Sequence, residues 1–358
     1  MNRFLQLHVL TAYPPSNPNR DDLGRPKSAI IGGVQRMRIS SQAIKRAMRQ
    51  SPAFVEALTD SLGKRTQRLG EVVRAHLVEK GADEKTAVEI ARDIAAVFGK
   101  LKGDKDGHPT YIEQLAFISP DERAAALSFA DKMLSGEKLP GEKELVKMLL
   151  NTADGAVDIA MFGRMLAANP DYNRDAAVQV AHAFTTNRVT IEDDYYTAVD
   201  DLKQPSEDAG AGFIGEAGFG AGIFYVYVCV DRRLLVENLA GDGALAARGI
   251  EALVRAAAIS SPSGKKNAFA NHVRAEFVLA ELGDGQPRTL ASAFTRPVSG
   301  ADQMVASVDA LTGMREAFAL SYGKDWTDER LLQVGNPDGV TLDDLASFAA
   351  SGVADAAA

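Results

Sequence analysis

The chain has 358 residues, with 40 lysines and arginines against 48 aspartates and glutamates, and a formal net charge of -8. Hydrophobic content of 46% and charged content of 25% fit a globular protein that buries its own core, and they exclude a disordered or collagen-like chain. The longest apolar run, residues 223 to 230, is far too short to span a bilayer, and the lone Cys229 excludes an internal disulfide. MNRFLQLHVL has no continuous apolar segment of a signal peptide, so a soluble, cytoplasmic protein without membrane contact is expected.

In chain order, FLQLHVL alternates, with Leu5, Leu7 and Val9 on one face, which predicts a strand. TAYPPSNPNRDDLGRPK is rich in proline and asparagine and reads as a long irregular loop. AIIGGVQRMRI predicts two short strands about a Gly-Gly bend. A helix follows, N-capped by Ser40 or Ser41. Residues 52 to 168 carry apolar positions at three- and four-residue spacing and read as helical throughout, punctuated by Pro120 and Pro140.

Residues 177 to 202 are rich in Val, Thr and Tyr and predict an extended strand entering an arm. The glycine-rich KQPSEDAGAGFIGEAGFGAG reads as a mobile loop with Phe213 and Phe219 exposed. IFYVYVCVD is a strand, ALAARGIEALVRAAAI a helix, RAEFVLAEL a strand, and residues 306 to 322 a helix. Without the helical insertion and the arm, the skeleton is β-α-β-β-α-β, an α+β fold of the ferredoxin-like or RRM arrangement. The expected division is residues 1–51 and 177–358 for the sheet unit, its arm at about 190–222, and residues 52–176 for the insertion.

Charge is unevenly distributed. Arg20, Arg25, Lys27, Arg36, Arg38, Lys45, Arg46 and Arg49 are opposed locally only by Asp21 and Asp22. On a helix starting near Ser41, Gln42, Lys45, Arg46 and Arg49 form one stripe, while Ile44, Ala47 and Met48 lie opposite. A solvated face usually mixes glutamate with lysine for i, i+4 pairing, and this face has no acid. Arg36 and Arg38 share one face of the preceding strand. Ser40 and Ser41 sit where free backbone N–H groups favour an anion. The stripe is compatible with an exposed basic helix or with a track for phosphates.

GAGFIG, residues 210 to 215, matches the dinucleotide fingerprint in letters but lacks the strand before and helix after that the fingerprint needs. Tyr195 and Tyr196 are adjacent among the acids of EDDYYTAVDD, so on a strand they face opposite ways. His8, His76, His108, His182 and His272 show no metal-ligand spacing, and His182 in VAHAF reads as a core histidine. No catalytic motif stands out, and no metal or cofactor is expected.

NRDDL, IIGGVQRMRISSQAIKRAMRQS, VDIAMFGRM, AHAFTTNRVTIEDDYYTAVDDL and GIFYVYVCVD together resemble the CasC family, the repeated backbone subunits of the type I-E CRISPR surveillance complex Cascade. The resemblance implies an RRM-like palm, helical fingers and a thumb arm. It implies copies that polymerise head-to-tail along one crRNA, with other Cascade subunits, a target DNA strand paired to the guide, and a recruited helicase-nuclease that does the cutting. It implies no catalytic activity. Ser40, Ser41, Gln42, Lys45, Arg46 and Arg49 would then hold crRNA phosphates, joined by Arg20 and Lys27. Met165 would wedge against a base, and Tyr195 and Tyr196 would brace a flipped nucleotide. The alternative is a backbone subunit with ribonuclease activity through Asp21 or Asp22. The fingers and the glycine-rich loop after Lys203 depart from the family pattern.

Overall fold

A computed structural model describes residues 1–103, 107–137, 140–198 and 213–356. The chain opens with β1 (Phe4–Ser16), β2 (Ser28–Ile31) and β3 (Val34–Ile39), then α1 (Ser41–Arg49) and α2 (Pro52–Ala57). The turn between β2 and β3 is the Gly-Gly bend read from the sequence. Gly32 and Gly33 have φ of 61° and 79°, the left-handed backbone that a two-residue hairpin demands.

The insertion contains β4 (Lys64–Thr66), α3 (Leu69–Glu79), α4 (Glu84–Phe98), β5 (Ala116–Ile118), α5 (Pro120–Leu134), α6 (Glu142–Leu149) and α7 (Val157–Phe162). It is not helical throughout, because β4 and β5 pair antiparallel. All three β5 residues are buried, so no polar alternation betrayed the strand. The inserted helices enclose their own core, from Leu69 to Leu166. Phe54, Leu58, Val157 and Met161 instead join the core beneath the sheet.

The chain returns with β6 (Val178–Val180), β7 (Ala183–Thr185), β8 (Glu192–Ala198) and β9 (Phe213–Asp231). It continues through α8 (Arg232–Asn238), α9 (Gly243–Ile259), α10 (Lys266–Phe269), β10 (Phe277–Gly283), α11 (Gln303–Tyr322), β11 (Asp328–Gln333) and α12 (Leu342–Ala350). Among the described residues the sheet runs β11-β10-β1-β9-β7-β3-β2, with β6 and β8 also on β9, and these pairings are antiparallel. The fold is α+β around a large antiparallel sheet.

Both faces of β1 are covered. Leu5, Leu7 and Val9 pack under α9 and α12, as their alternation predicts. Leu10 faces the opposite cluster with Tyr225, Phe277, Phe294 and Leu311 of α11. On that second face Glu281 is fully buried and accepts from Arg288 at 2.8 and 3.1 Å and from Arg315 at 2.6 Å, with His8 Nε2 at 3.3 Å.

The glycine-rich segment departs from its reading as a mobile loop. Residues 203 to 212, including the first half of GAGFIG, lie outside the described residues. From Phe213 onward the segment is strand, paired with β8 and then β1. Its glycines mark close approaches: a Cβ on Gly220 would lie 2.6 Å from the Met37 sulfur, and one on Gly222 2.8 Å from Asn187 Oδ1. Phe219 is half-buried against Phe269, with ring centroids 6.0 Å apart.

Candidate nucleic-acid interface

The site is built outward from α1. Ser40 caps the helix, with its Oγ accepting the Ala43 amide at 3.3 Å while its own N–H donates to Asn19 Oδ1 at 2.9 Å. Ser40 is buried and serves as the helix cap. Ile44 and Met48 are buried, which fixes the rotation of the helix and sends the cationic stripe outward. Gln42, Arg46 and Gln50, one turn apart, form an exposed crest.

This crest is the wall between two grooves. The first, of about 910 Å³, lies between α1, the loop carrying Arg20, Asp21 and Asp22, and the segment from Ile259 to Lys266. The second, of about 950 Å³, lies between α1 and the insertion. It is lined by Lys45, Arg46, Arg49, Lys64, Arg65 and Met165, among others. Both grooves are open and carry arginine and lysine, with Asp21 and Asp22 beside them in the first, which suits a backbone of phosphates more than a small molecule.

The flanking cations of α1 are more constrained than the sequence suggests. Lys45 Nζ lies 5.7 Å from the Phe162 ring centroid, and partial burial lowers its pKa. Arg49 donates from Nε and Nη2 to Asp158 Oδ2 at 3.1 and 2.9 Å, and its guanidinium carbon stands 4.4 Å from the Phe117 centroid. Asp158 also accepts the Gly63 N–H at 2.7 Å. Burial raises its pKa, opposed by the Arg49 charge. Arg49 therefore joins α1 to the insertion, and its charge is balanced internally.

Met165 is 81% exposed, on the far wall of the second groove. Its neighbours are anchored. Arg164 is buried and donates from Nη1 to both Glu122 oxygens at 2.7 and 2.6 Å, and from Nη2 to the carbonyls of Asn151 and Tyr172. Leu166 is buried, and its N–H donates to Asn173 Oδ1 at 2.6 Å. An exposed apolar side chain on a clamped loop is held toward the groove at little further entropic cost.

The structure separates the remaining predicted residues. Arg20 lines the first groove. Lys27, Arg38, Ser40 and Ser41 line neither groove, and Lys27 and Arg38 come together at the end of β3. Arg36 is a correction: it is fully buried and donates to the carbonyls of Thr185 and Thr186 at 2.7 Å and of Phe294 at 3.0 Å. It ties β3 to β7 and to the turn before α11, so it presents no charge to a ligand. The β3 alternation that pairs Arg36 with Arg38 also puts both on the face opposite the α1 core, because Met37 and Ile39 join that core.

Tyr195 and Tyr196 stand on the arm, opposite Glu216 and Gly215, and are 65% and 43% exposed. Neither lines the grooves. Arg25 pairs with Asp193 at 3.0 Å and so ties the base of the arm to the loop of the first groove. The acids Asp200 and Asp201 lie outside the described residues. Asp21 Oδ1 accepts the N–H groups of Leu23 and Arg25 at 3.0 and 2.8 Å, an Asx turn that fixes the loop. His182 is exposed, against its reading as a core histidine.

Lys64, Arg65 and Lys266 were missed. The signals were present: KRTQR holds three cations in five positions without an acid, and SSPSGKK is serine- and lysine-rich. Only the fold brings them beside α1.

The family described as CT1975-like protein matches residues 5–350. A chain of a solved structure described as "CRISPR RNA-guided surveillance complex, pre-nicking" is 31% identical, with a TM-score of 0.85, over 98% of this chain and 99% of that one. A second, described as "CRISPR RNA-guided surveillance complex", is 26% identical, with a TM-score of 0.74, over 99% of this chain and 100% of that one. Among curated proteins, no match is found.

Proposed function

The chain belongs to the CT1975-like protein family, and we propose that it is a crRNA-binding backbone subunit of a CRISPR surveillance complex, of the type I-E Cascade class. The observation that carries the proposal is the pair of open cationic grooves sharing the Gln42–Arg46–Gln50 crest, in a chain whose full length resembles a surveillance-complex subunit. Arg46, Lys45, Lys64, Arg65, Arg20 and Lys266 hold phosphates, contacts that fix position without reading sequence. The guide bases are left free to pair with a target strand.

Met165 wedges between bases at the insertion side, and Tyr195 and Tyr196 brace a displaced nucleotide from the arm of a neighbouring copy. Repetition of one heterologous contact generates a filament along the RNA. The partners are crRNA, the target strand, further copies, other subunits of the complex and a recruited helicase-nuclease, in the cytoplasm. The strand order β10-β1-β9-β7, with α1 and α9 on one face, supports the RRM-like reading of the sheet unit.

The subunit holds and displays RNA and does not cut it. The engagement of Asp21 Oδ1 in its turn weighs against Asp21 as a ribonuclease carboxylate. Expressed with a CRISPR array, the protein should copurify with a discrete, RNase-sensitive small RNA, and a Lys45→Glu/Arg46→Glu variant of unchanged circular dichroism should not. Wild type free of RNA would overturn the proposal. Cleavage of a complementary RNA with Mg²⁺, abolished by Asp21→Ala or Asp22→Ala, would replace it with the ribonuclease.

A further inference from the structure

A second cationic cluster lies at the end of β3, on the face of the sheet away from the α1 core. Arg38 Nη1 lies 2.8 Å from Nδ1 of His182, which sits between β6 and β7 and is exposed. A guanidinium has donors only, so Nδ1 accepts, and the neutral ring carries its proton on Nε2. Lys27 lies alongside: its carbonyl accepts the Arg38 N–H at 2.8 Å, and its charge acts on the His182 ring. Partial burial, then the charges of Arg38 and Lys27, hold the His182 ring below its ordinary pKa, and no acid among the described residues opposes them.

Arg38 and His182 thus offer a ligand guanidinium N–H and imidazole Nε2–H and no acceptor, beside the positive charge of Lys27. An all-donor cluster without a carboxylate is matched by an anion. It is also joined to the first groove by one residue. The Asn19 carbonyl accepts the Lys27 N–H at 2.8 Å, its Oδ1 accepts the Ser40 N–H at 2.9 Å, and Arg20 beside it lines the groove.

We propose that Lys27, Arg38 and His182 form a second phosphate site for the RNA backbone, with His182 donating from Nε2; this rests on the RNA-binding reading above. His182 is the new member, and it binds as a neutral donor.

The test uses the full chain and a labelled single-stranded RNA, with affinity measured by anisotropy at several salt concentrations. His182→Ala should weaken binding roughly tenfold, in line with the loss of a hydrogen bond to a charged group, and leave the salt slope unchanged. Arg38→Ala should weaken binding and lower the slope by about 0.7. His182→Gln, whose Nε2 replaces the ring Nε2–H, should recover most of the loss. The side chain is exposed, so thermal unfolding should match wild type in all His182 variants.

Wild-type affinity in His182→Ala would overturn the proposal. So would an altered slope, which would mean the ring binds as a cation. So would unchanged RNA affinity with lost self-association, which would assign the cluster to an acidic segment of a second copy. Lys45→Glu/Arg46→Glu runs in parallel. If it loses RNA while His182→Ala does not, this inference alone fails; if wild type and both variants bind nothing, the RNA-binding reading fails with it.

Discussion

Replacing Arg46, Lys64 and Arg65 together by alanine tests whether the groove between α1 and the insertion is a phosphate track. All three are exposed and line that groove. Among the described residues, only Arg46 of the three has a side-chain hydrogen bond, to Gln50 at 3.1 Å. Each such surface change should alter stability by no more than about 0.5 kcal/mol. RNA binding should respond strongly. On a single strand each neutralised phosphate adds about 0.7 to the slope of log K against log salt, so three lost contacts flatten it by about 2.

Near 0.1 M salt, one decade below 1 M, the same coefficient makes each contact worth roughly fivefold and the three together roughly a hundredfold, or about 3 kcal/mol. The assay is anisotropy of a labelled single-stranded RNA from about 50 to 200 mM salt, with urea unfolding as the control for the fold. A triple variant with the wild-type slope would refute the phosphate track, whatever its affinity. A change in slope near 2 with unchanged urea midpoint is the expected result.

Three further outcomes follow from particular contacts. Glu122→Ala leaves the Arg164 guanidinium buried without its carboxylate and should cost about 3–5 kcal/mol by urea unfolding, much of it recovered when Arg164→Met is added. Met165→Ala should leave unfolding within about 0.5 kcal/mol of wild type, because the side chain is 81% exposed, yet weaken RNA binding; an unchanged RNA affinity would remove Met165 from the site.

The third concerns pH. Burial alone would raise the Glu281 pKa, but hydrogen bonds from His8 and Arg288 and their charges outweigh it and hold the carboxylate well below its usual range. Its folded pKa being depressed, its stabilisation is full above the unfolded value of about 4.3 and is lost as pH falls below it. Stability against pH should therefore fall less steeply below about pH 4 in Glu281→Gln than in wild type, and equal acid slopes would contradict the assignment.

Local chemistry determined much of this molecule. The Gly-Gly hairpin, the Ser40 cap, the Ile44–Met48 inner face of α1 and the Leu5–Leu7–Val9 face of β1 all follow from steric limits, capping and period, which act over a few residues. The position of the candidate interface rests on the same local signal, since α1 carries a cationic stripe without an acid. What each cation does was not. Arg36 and Arg46 are equally basic in sequence. The strand brings one to three buried carbonyls and the helix puts the other on a crest in solvent.

Arg49 meets Asp158 across 109 positions, and Lys64, Arg65 and Lys266 reach α1 only through the insertion and the segment after α9. The glycine-rich stretch looked like a loop because glycine propensity is local, whereas its strand is imposed by β1, β8 and the side chains that crowd Gly220 and Gly222. The sequence by itself determined most of the elements and where positive charge gathers. Only the tertiary structure decided which charges are neutralised inside and which face solvent, because desolvation and pairing depend on neighbours far away in the chain.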